Sequence, residues 1–229
     1  EPVTDSIRFK IGLEYNYSNS VNDAKTYNFN TTDQAYSDLN IFQSNYTTST
    51  QNSITPKAGI RFEKNKFSVD INSSSSIVQY DNFSNYLNQA TDLNKKYILP
   101  NVSGQVRYKI DRSKALTTRY NYSVSLPSSN QLLPVVNLSN PLNTITGNPD
   151  LKPNEKHSAN INYRNFDFRT RSGYNMYANA DFYASEIITS TIYDVDRKRT
   201  TTYENISGTY AISGGGSWNK SIKQESNLL

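Results

Sequence analysis

Cysteine is absent from this chain, which excludes disulfides, thiol nucleophiles and cysteine-held metals. Histidine occurs once, at His157, and a single imidazole excludes multi-histidine zinc sites. A serine hydrolase is poorly served as well, because there is no Gly-x-Ser-x-Gly elbow and only one histidine to act as base. No run approaches ~18 consecutive apolar residues, so no helix drawn from this sequence would cross a bilayer. That test is blind to strands, because the inward face of a barrel strand dilutes its hydropathy. Blocks of like charge are missing too: the formal net charge of +4 is spread in mixed signs, which argues against a nucleic-acid partner. Gly214, Gly215 and Gly216 precede no helix pattern and lack the lysine of a phosphate loop, so they read as a bend or bulge in a strand. No catalytic residue, metal or cofactor is expected, and the chain does not read as an enzyme.

Aromatic residues, by contrast, are plentiful. With Tyr 18 and Phe 9 in 229 residues the chain is far too aromatic for a disordered one, although its mean hydropathy of −0.73 would suit a very polar soluble protein. Ile7, Phe9, Ile11, Leu13, Tyr15 and Tyr17 alternate with Arg8, Lys10, Gly12, Glu14 and Asn16. A strand points successive side chains to opposite faces, so this segment has one apolar face and one wet face.

The same phase can be followed through hairpin after hairpin. A polar loop is expected at 19–38, then a return strand over 42–62 with Pro56 marking a bulge or an interruption in the pairing. A charged turn at 63–66, a rise from Phe67, a polar loop at 81–94, a descent over 98–110 and a second tight turn at 111–114 follow. The next rise, 116–126, ends in a connection at 127–154 that holds Pro127, Pro134, Pro141, Pro149 and Pro153, and so many prolines argue against regular pairing inside it. Beyond it come a descent from Ala159, a turn around Asn165, a long rise from Tyr174, a compact tip at 194–198 and a last descent over 206–218 towards a turn near 223–226. The expected fold is all-β: an antiparallel up-and-down meander of about eight strands plus the start of another, forming a single domain that is part of a transmembrane β-barrel. Each hairpin takes on the order of 50–60 residues, whereas turn signals recur every ~8–12 residues in soluble β-domains. Glu1 opens without a signal segment, and Asn227, Leu228 and Leu229 read as a strand beginning, so the chain is expected to be a piece of a larger barrel.

Few residues invite chemistry. His157 is expected to be structural or solvated. Asp194 and Asp196 could touch a cation, but Arg197, Lys198 and Arg199 beside them favour a solvated turn. Arg8, Lys10, Lys57, Arg61, Arg107, Lys109 and Arg119 share the inward phase near the short-turn ends of their strands. Ordinary pairing, with Glu14 and Glu63 available, is their first reading; meeting a folded plug is the second.

The segment Gly147-Asn148-Pro149-Asp150-Leu151-Lys152-Pro153 resembles the Gly-Asn-Pro-x-Leu-x-Pro-Glu signature of TonB-dependent outer-membrane receptors, with Asn154 interposed before Glu155. The long rise over 172–191, the basic tip, and Thr202-Tyr203-Glu204-Asn205 before Gly208 are similar to that family too, and the likeness is strongest over about 115–220. It implies a large barrel in the cell outer membrane, bounded by lipid, filled by a plug domain and energised through TonB, importing a bulky nutrient whose identity the residues do not reveal. The signature is implied to be structural, and no ligand-binding residue carries over from it. Two other readings compete: a small closed outer-membrane barrel acting as an adhesin or structural protein, and a soluble secreted glycan-binding β-domain. In the wall reading Ile161, Tyr174, Met176, Ala178, Tyr210 and Ile212 face lipid, while Arg107, Arg119, Asn175 and Asp181 face the lumen.

Overall fold

The alternation that opens the chain becomes a strand longer than the pattern itself. In the computed structural model, which describes residues 2–4, 6–87, 89–134, 136–137, 143–167, 169–195 and 197–221, a short β1 (Pro2–Thr4) leads into β2 (Ile7–Ala24). β3 (Tyr27–Asn30) and β4 (Ala35–Leu39) pair only with each other. Four long antiparallel strands come next: β5 (Asn45–Lys64), β6 (Phe67–Tyr86), β7 (Gln89–Lys109) and β8 (Lys114–Ser125). After β8 the chain makes one helical turn, α1 (Ser129–Leu132), and two short strands, β9 (Val136–Asn137) and β10 (Asn143–Thr146). β11 (Asn154–Asp167), β12 (Ser172–Tyr193), β13 (Arg199–Ile206) and β14 (Thr209–Lys220) complete the wall.

Sequence order is spatial order along the main path, β2-β5-β6-β7-β8-β11-β12, as an up-and-down meander requires. β13 and β14 both lie against β12 in one unbroken register, Glu186 opposite Ile206 and Tyr183 opposite Thr209. Only Ser207 and Gly208 separate them, Gly208 in the left-handed region at φ +81°. They are one descending line, so among the described residues the wall has the eight places expected. Among the described residues β2 and β14 do not pair with one another, so the closed eight-strand barrel is not the architecture here. The turn near 223–226, the strand start at 227–229 and Asp196 lie outside the described residues.

Several expectations need correction. The loop placed at 19–38 is strand as far as Ala24 and then the β3–β4 hairpin. The loop placed at 81–94 is almost wholly strand, with Tyr86 already opposite Gln89. Neither face of these tips meets hydrocarbon, so the period-2 signal fades although the ladder continues. The return strand starts at Asn45 rather than residue 42, and the turn around Asn165 falls later, because β11 runs on to Asp167. The glycine triplet makes no bulge: β14 pairs regularly with β12 throughout. Gly215 instead gives room to the Tyr177 ring opposite it, where an added Cβ would stand 2.8 Å from the phenol oxygen. Pro56 behaves as expected. The β5–β6 ladder lapses at Thr55 and Pro56 and resumes in the same register at Lys57.

Cross-strand register separates two faces cleanly. Ile7, Phe62, Val69, Val106, Thr118, Ile161, Ala178 and Gly214 are successive partners across the wall, all in the apolar phase. This face is uncovered: Ile11 is 92% exposed and Ile212 75%. Aromatic residues bound it on the same strands, Tyr174 and Phe182 on β12, Tyr210 and Trp218 on β14. Each pair is eight residues apart, about 26 Å along a strand. Allowing for the tilt of barrel strands, that approaches the ~25 Å apolar band and its two aromatic girdles in outer-membrane barrels. Tyr174, Met176, Ala178, Tyr210, Ile212 and Ile161 all occupy this face; Arg107, Arg119, Asn175 and Asp181 occupy the other.

Short turns close the wall at one end. Asp111 takes the backbone N–H groups of Ser113 at 2.7 Å and Lys114 at 2.8 Å, and Asp167 takes that of Arg169 at 2.8 Å. The N–H of Ser113 first, then that of Lys114 and its charge, hold the Asp111 carboxyl below its ordinary value. A depressed folded pKa stabilises the turn above the unfolded carboxylate pKa, and the benefit disappears as pH falls through the folded one. The protection of the Ser113 and Lys114 amides, measured against their intrinsic exchange rates at each pH, is therefore expected to fall on acidification. Asp111→Asn should keep the acceptor and abolish that pH dependence of protection, and Asp111→Ala should leave both amides weakly protected at every pH.

Candidate functional site

The inward-phase residues of the long hairpins form a polar wall in the membrane zone. One register row bonds across five strands: Arg119 donates from Nε to Gln105 at 2.8 Å and from Nη1 to Asn160 at 3.2 Å, Asn160 donates to Asn179 at 2.7 Å, and Asn179 donates to Ser213 at 3.3 Å. Beside it lies a concavity of about 360 Å³ whose inward lining includes Lys10, Lys57, Asn72, Ser103 and Asn121. Small and amide side chains make up most of that lining. The chemistry on offer is hydrogen bonding and positive charge.

Pairing accounts for part of the basic set only. Lys57 meets Glu14, Arg61 meets Glu63 at 3.3 Å, and Lys10 meets Asp70 at 3.4 Å. Register puts Lys57 and Glu14 two residues out of step on neighbouring strands, within reach of a lysine stem. Among the described residues Arg8, Arg107 and Lys109 have no acidic partner, so ordinary charge pairing fails as an account of them.

Above the membrane zone the inward face turns apolar and acquires a cover. Val78, Tyr80 and Leu99 carry the inward phase of β6 and β7, and they are buried against Leu132 and Leu151 from the proline-rich connection. That connection is a folded cap, not the unpaired loop expected. β10 adds to β13 as a parallel strand, Asn143 opposite Arg199, with Arg199 Nε donating to Asn143 at 2.8 Å. Pairing succeeds because residues 143–146 are free of proline. Ser128 and Gln131 close α1 with a reciprocal capping box, and Tyr80 bonds Ser129 at 2.8 Å.

The Gly147–Pro153 signature is the hinge of this cap. A Cβ on Gly147 would overlap the carbonyl of Leu133, so glycine is required for the close approach to α1. Asn148 accepts from the Asp150 N–H at 2.9 Å, and its own amide donates to the Tyr203 carbonyl at 2.9 Å. Pro149 offers its carbonyl to Lys95, and Leu151 is 3% exposed in the core. Asn205 grips Lys152 on both backbone sides, accepting at 2.8 Å and donating at 3.0 Å. Asp150 enters these contacts through its backbone N–H. Asn205 escaped the sequence reading as a functional residue, although it stands in the Thr202–Asn205 segment that resembled the same family.

His157 sits on the outward face among aromatic rings. Its Nδ1 is 2.8 Å from the Tyr120 hydroxyl, and its ring centre is 4.7 Å from that of Tyr122. It lies in the girdle row with Phe182 and Tyr210, away from the polar wall. At the 194–198 tip, Asp194 accepts from the Lys198 N–H at 2.8 Å, the bonding of a turn.

An uncovered apolar band with aromatic borders, a polar inner face and an inward-folded loop define the wall of an outer-membrane β-barrel. The chain belongs to the outer membrane protein beta-barrel family, whose model matches residues 1–228. No curated relative matches it. Location in the outer membrane rules out the soluble secreted reading, and it explains why the apolar face needs no second sheet.

Proposed function

We propose that this chain forms part of the wall of a TonB-dependent outer-membrane receptor that imports a bulky nutrient. The observation that carries the reading is the Gly147–Pro153 segment: it matches the receptor signature in sequence, and it serves as the hinge of a cap folded over the inner face. A cap of this kind narrows the outer mouth, so that solutes are admitted by shape. In this reading lipid surrounds the apolar band, a plug domain fills the lumen and TonB supplies the energy. The wall provides passage and docking and is not an enzyme.

The test is retention of the full-length protein, purified in detergent, on the immobilised periplasmic domain of TonB from the same cells. Retention is expected. A protein that flows through, while an established receptor of those cells is retained on the same matrix, would overturn the proposal.

A further inference from the structure

Two polar side chains at the level of the cap are buried without a bond. The inward phase of β6 runs through Val78, Tyr80, Asn82 and Ser84, so Asn82 stands one row beyond the residues that meet the cap. It is 2% exposed, and neither its amide nitrogen nor its amide oxygen has a partner among the described residues. Tyr97, opposite Val78 on β7 and packed on the same cluster, has a buried hydroxyl in the same condition. Their neighbours fare differently. Ser84, fully buried in the next row, donates to Asn45 at 3.1 Å, and Tyr80 is bonded to Ser129.

The sheet offers no remedy, because Asn82 is already laddered on both sides, to Ser49 on β5 and Leu93 on β7. The element packed on this face is the cap, through Leu132 and Leu151. Closing the cap therefore carries two opposed effects. Burial of Leu132, Leu151, Val78 and Leu99 favours closure. Desolvating an amide and a hydroxyl that gain no bond opposes it, each by about as much as burying one leucine gains. The two edges of the cap are also held unequally. Asn205 clamps Lys152 on both backbone sides, and β10 is laddered to β13. Over β6, α1 is tied by the single bond from Ser129 to Tyr80, beside the unbonded groups.

We infer that α1 and Leu133 form a lid hinged on Gly147–Pro153, and that Asn82 and Tyr97 hold its closed state near balance, so that it lifts in the resting protein. Lifting lets water, or a polar group of an entering solute, bond the Asn82 amide and the Tyr97 hydroxyl. The inference goes beyond the receptor reading and rests on the cap alone, so retention on TonB tests the one and the motion of the cap tests the other.

Full-length protein in lipid vesicles is followed by amide hydrogen exchange. The amides of Leu132, Leu133 and Asn148 report the lid, and those of the β5–β6 ladder report the wall. Asn82→Leu removes the unbonded atoms at nearly constant volume, and protection of the lid amides is expected to rise about tenfold or more with the ladder unchanged. Ser84→Ala deletes a buried polar group that is bonded, and should give no rise. Unchanged or lower lid protection in Asn82→Leu on an intact ladder overturns the inference, and so does an equal rise in Ser84→Ala. If Asn82→Leu loses ladder protection it has misfolded, and Asn82→Ala decides. Lid protection at or above that of the wild type then supports the inference, and a fall overturns it.

Discussion

Arginine in place of Ala178 is expected to destabilise the barrel by about 2–4 kcal/mol if that site lies near the bilayer midplane. Ala178 is exposed on the apolar face, in the row that runs from Ile161 to Gly214 and between the Tyr174 and Phe182 borders of its strand. A guanidinium there must abandon water or drag it into hydrocarbon. Arginine at Asn179 should cost much less, because that side chain lies inward between Asn160 and Ser213 and can replace one polar neighbour with another. One residue of displacement moves a side chain from lipid to lumen, so the comparison isolates the face from the strand. Urea titration of both variants folded into lipid vesicles would measure it. Equal losses at the two sites would mean that the apolar face does not meet hydrocarbon.

The cap should be as sensitive as the wall, but to deletion of volume. Leu132 is fully buried and Leu151 nearly so, in a cluster shared with Val78, Tyr80, Leu99 and Val124. Leu132→Ala or Leu151→Ala is expected to cost about 2–5 kcal/mol of cap stability, the range for truncating a buried leucine. The loss should appear locally. Amide exchange should rise at Leu132 and Leu133, whose N–H groups close α1, and at Asn148, whose N–H reaches Gln131, while the β5–β6 ladder stays protected. Loss of protection throughout the sheet would show that cap and wall unfold as one unit.

The wall was legible because hydrocarbon on one side and water on the other write a period of two into the sequence. Ile7 to Tyr17 and Tyr174 to Ala184 show it without ambiguity, and register confirms their phase. The strand tips were not legible. At 81–86 and 89–94, polar and apolar residues occur on both faces, because one face meets water and the other meets water or the cap. The cap itself was hidden by its economy: one helical turn and a four-residue strand, with leucines too scattered among prolines to show a period. Its hinge could be recognised as a motif, but the partner that fixes it, Asn205, is more than fifty residues away. Charge pairing was legible where partners lie on adjacent strands, as with Lys57 and Glu14. It failed at Arg107, for which residues 1–229 offer no contacting acid among the described ones.

The clamp between Lys152 and Asn205 also imposes an order in time. Each wall hairpin joins strands that follow one another in the chain, so the meander can grow from either end by short closures. The cap has no such freedom. Its hinge needs the Tyr203 carbonyl and the Asn205 side chain, 55 and 53 residues from the Asn148 and Lys152 groups they bond, and β10 needs β13 as its template. Contacts of that separation carry a larger loop-closure cost, which pairing of the intervening β11 and β12 reduces. The cap is therefore expected to settle over the inner face of β6 and β7 after the strands beneath it have paired.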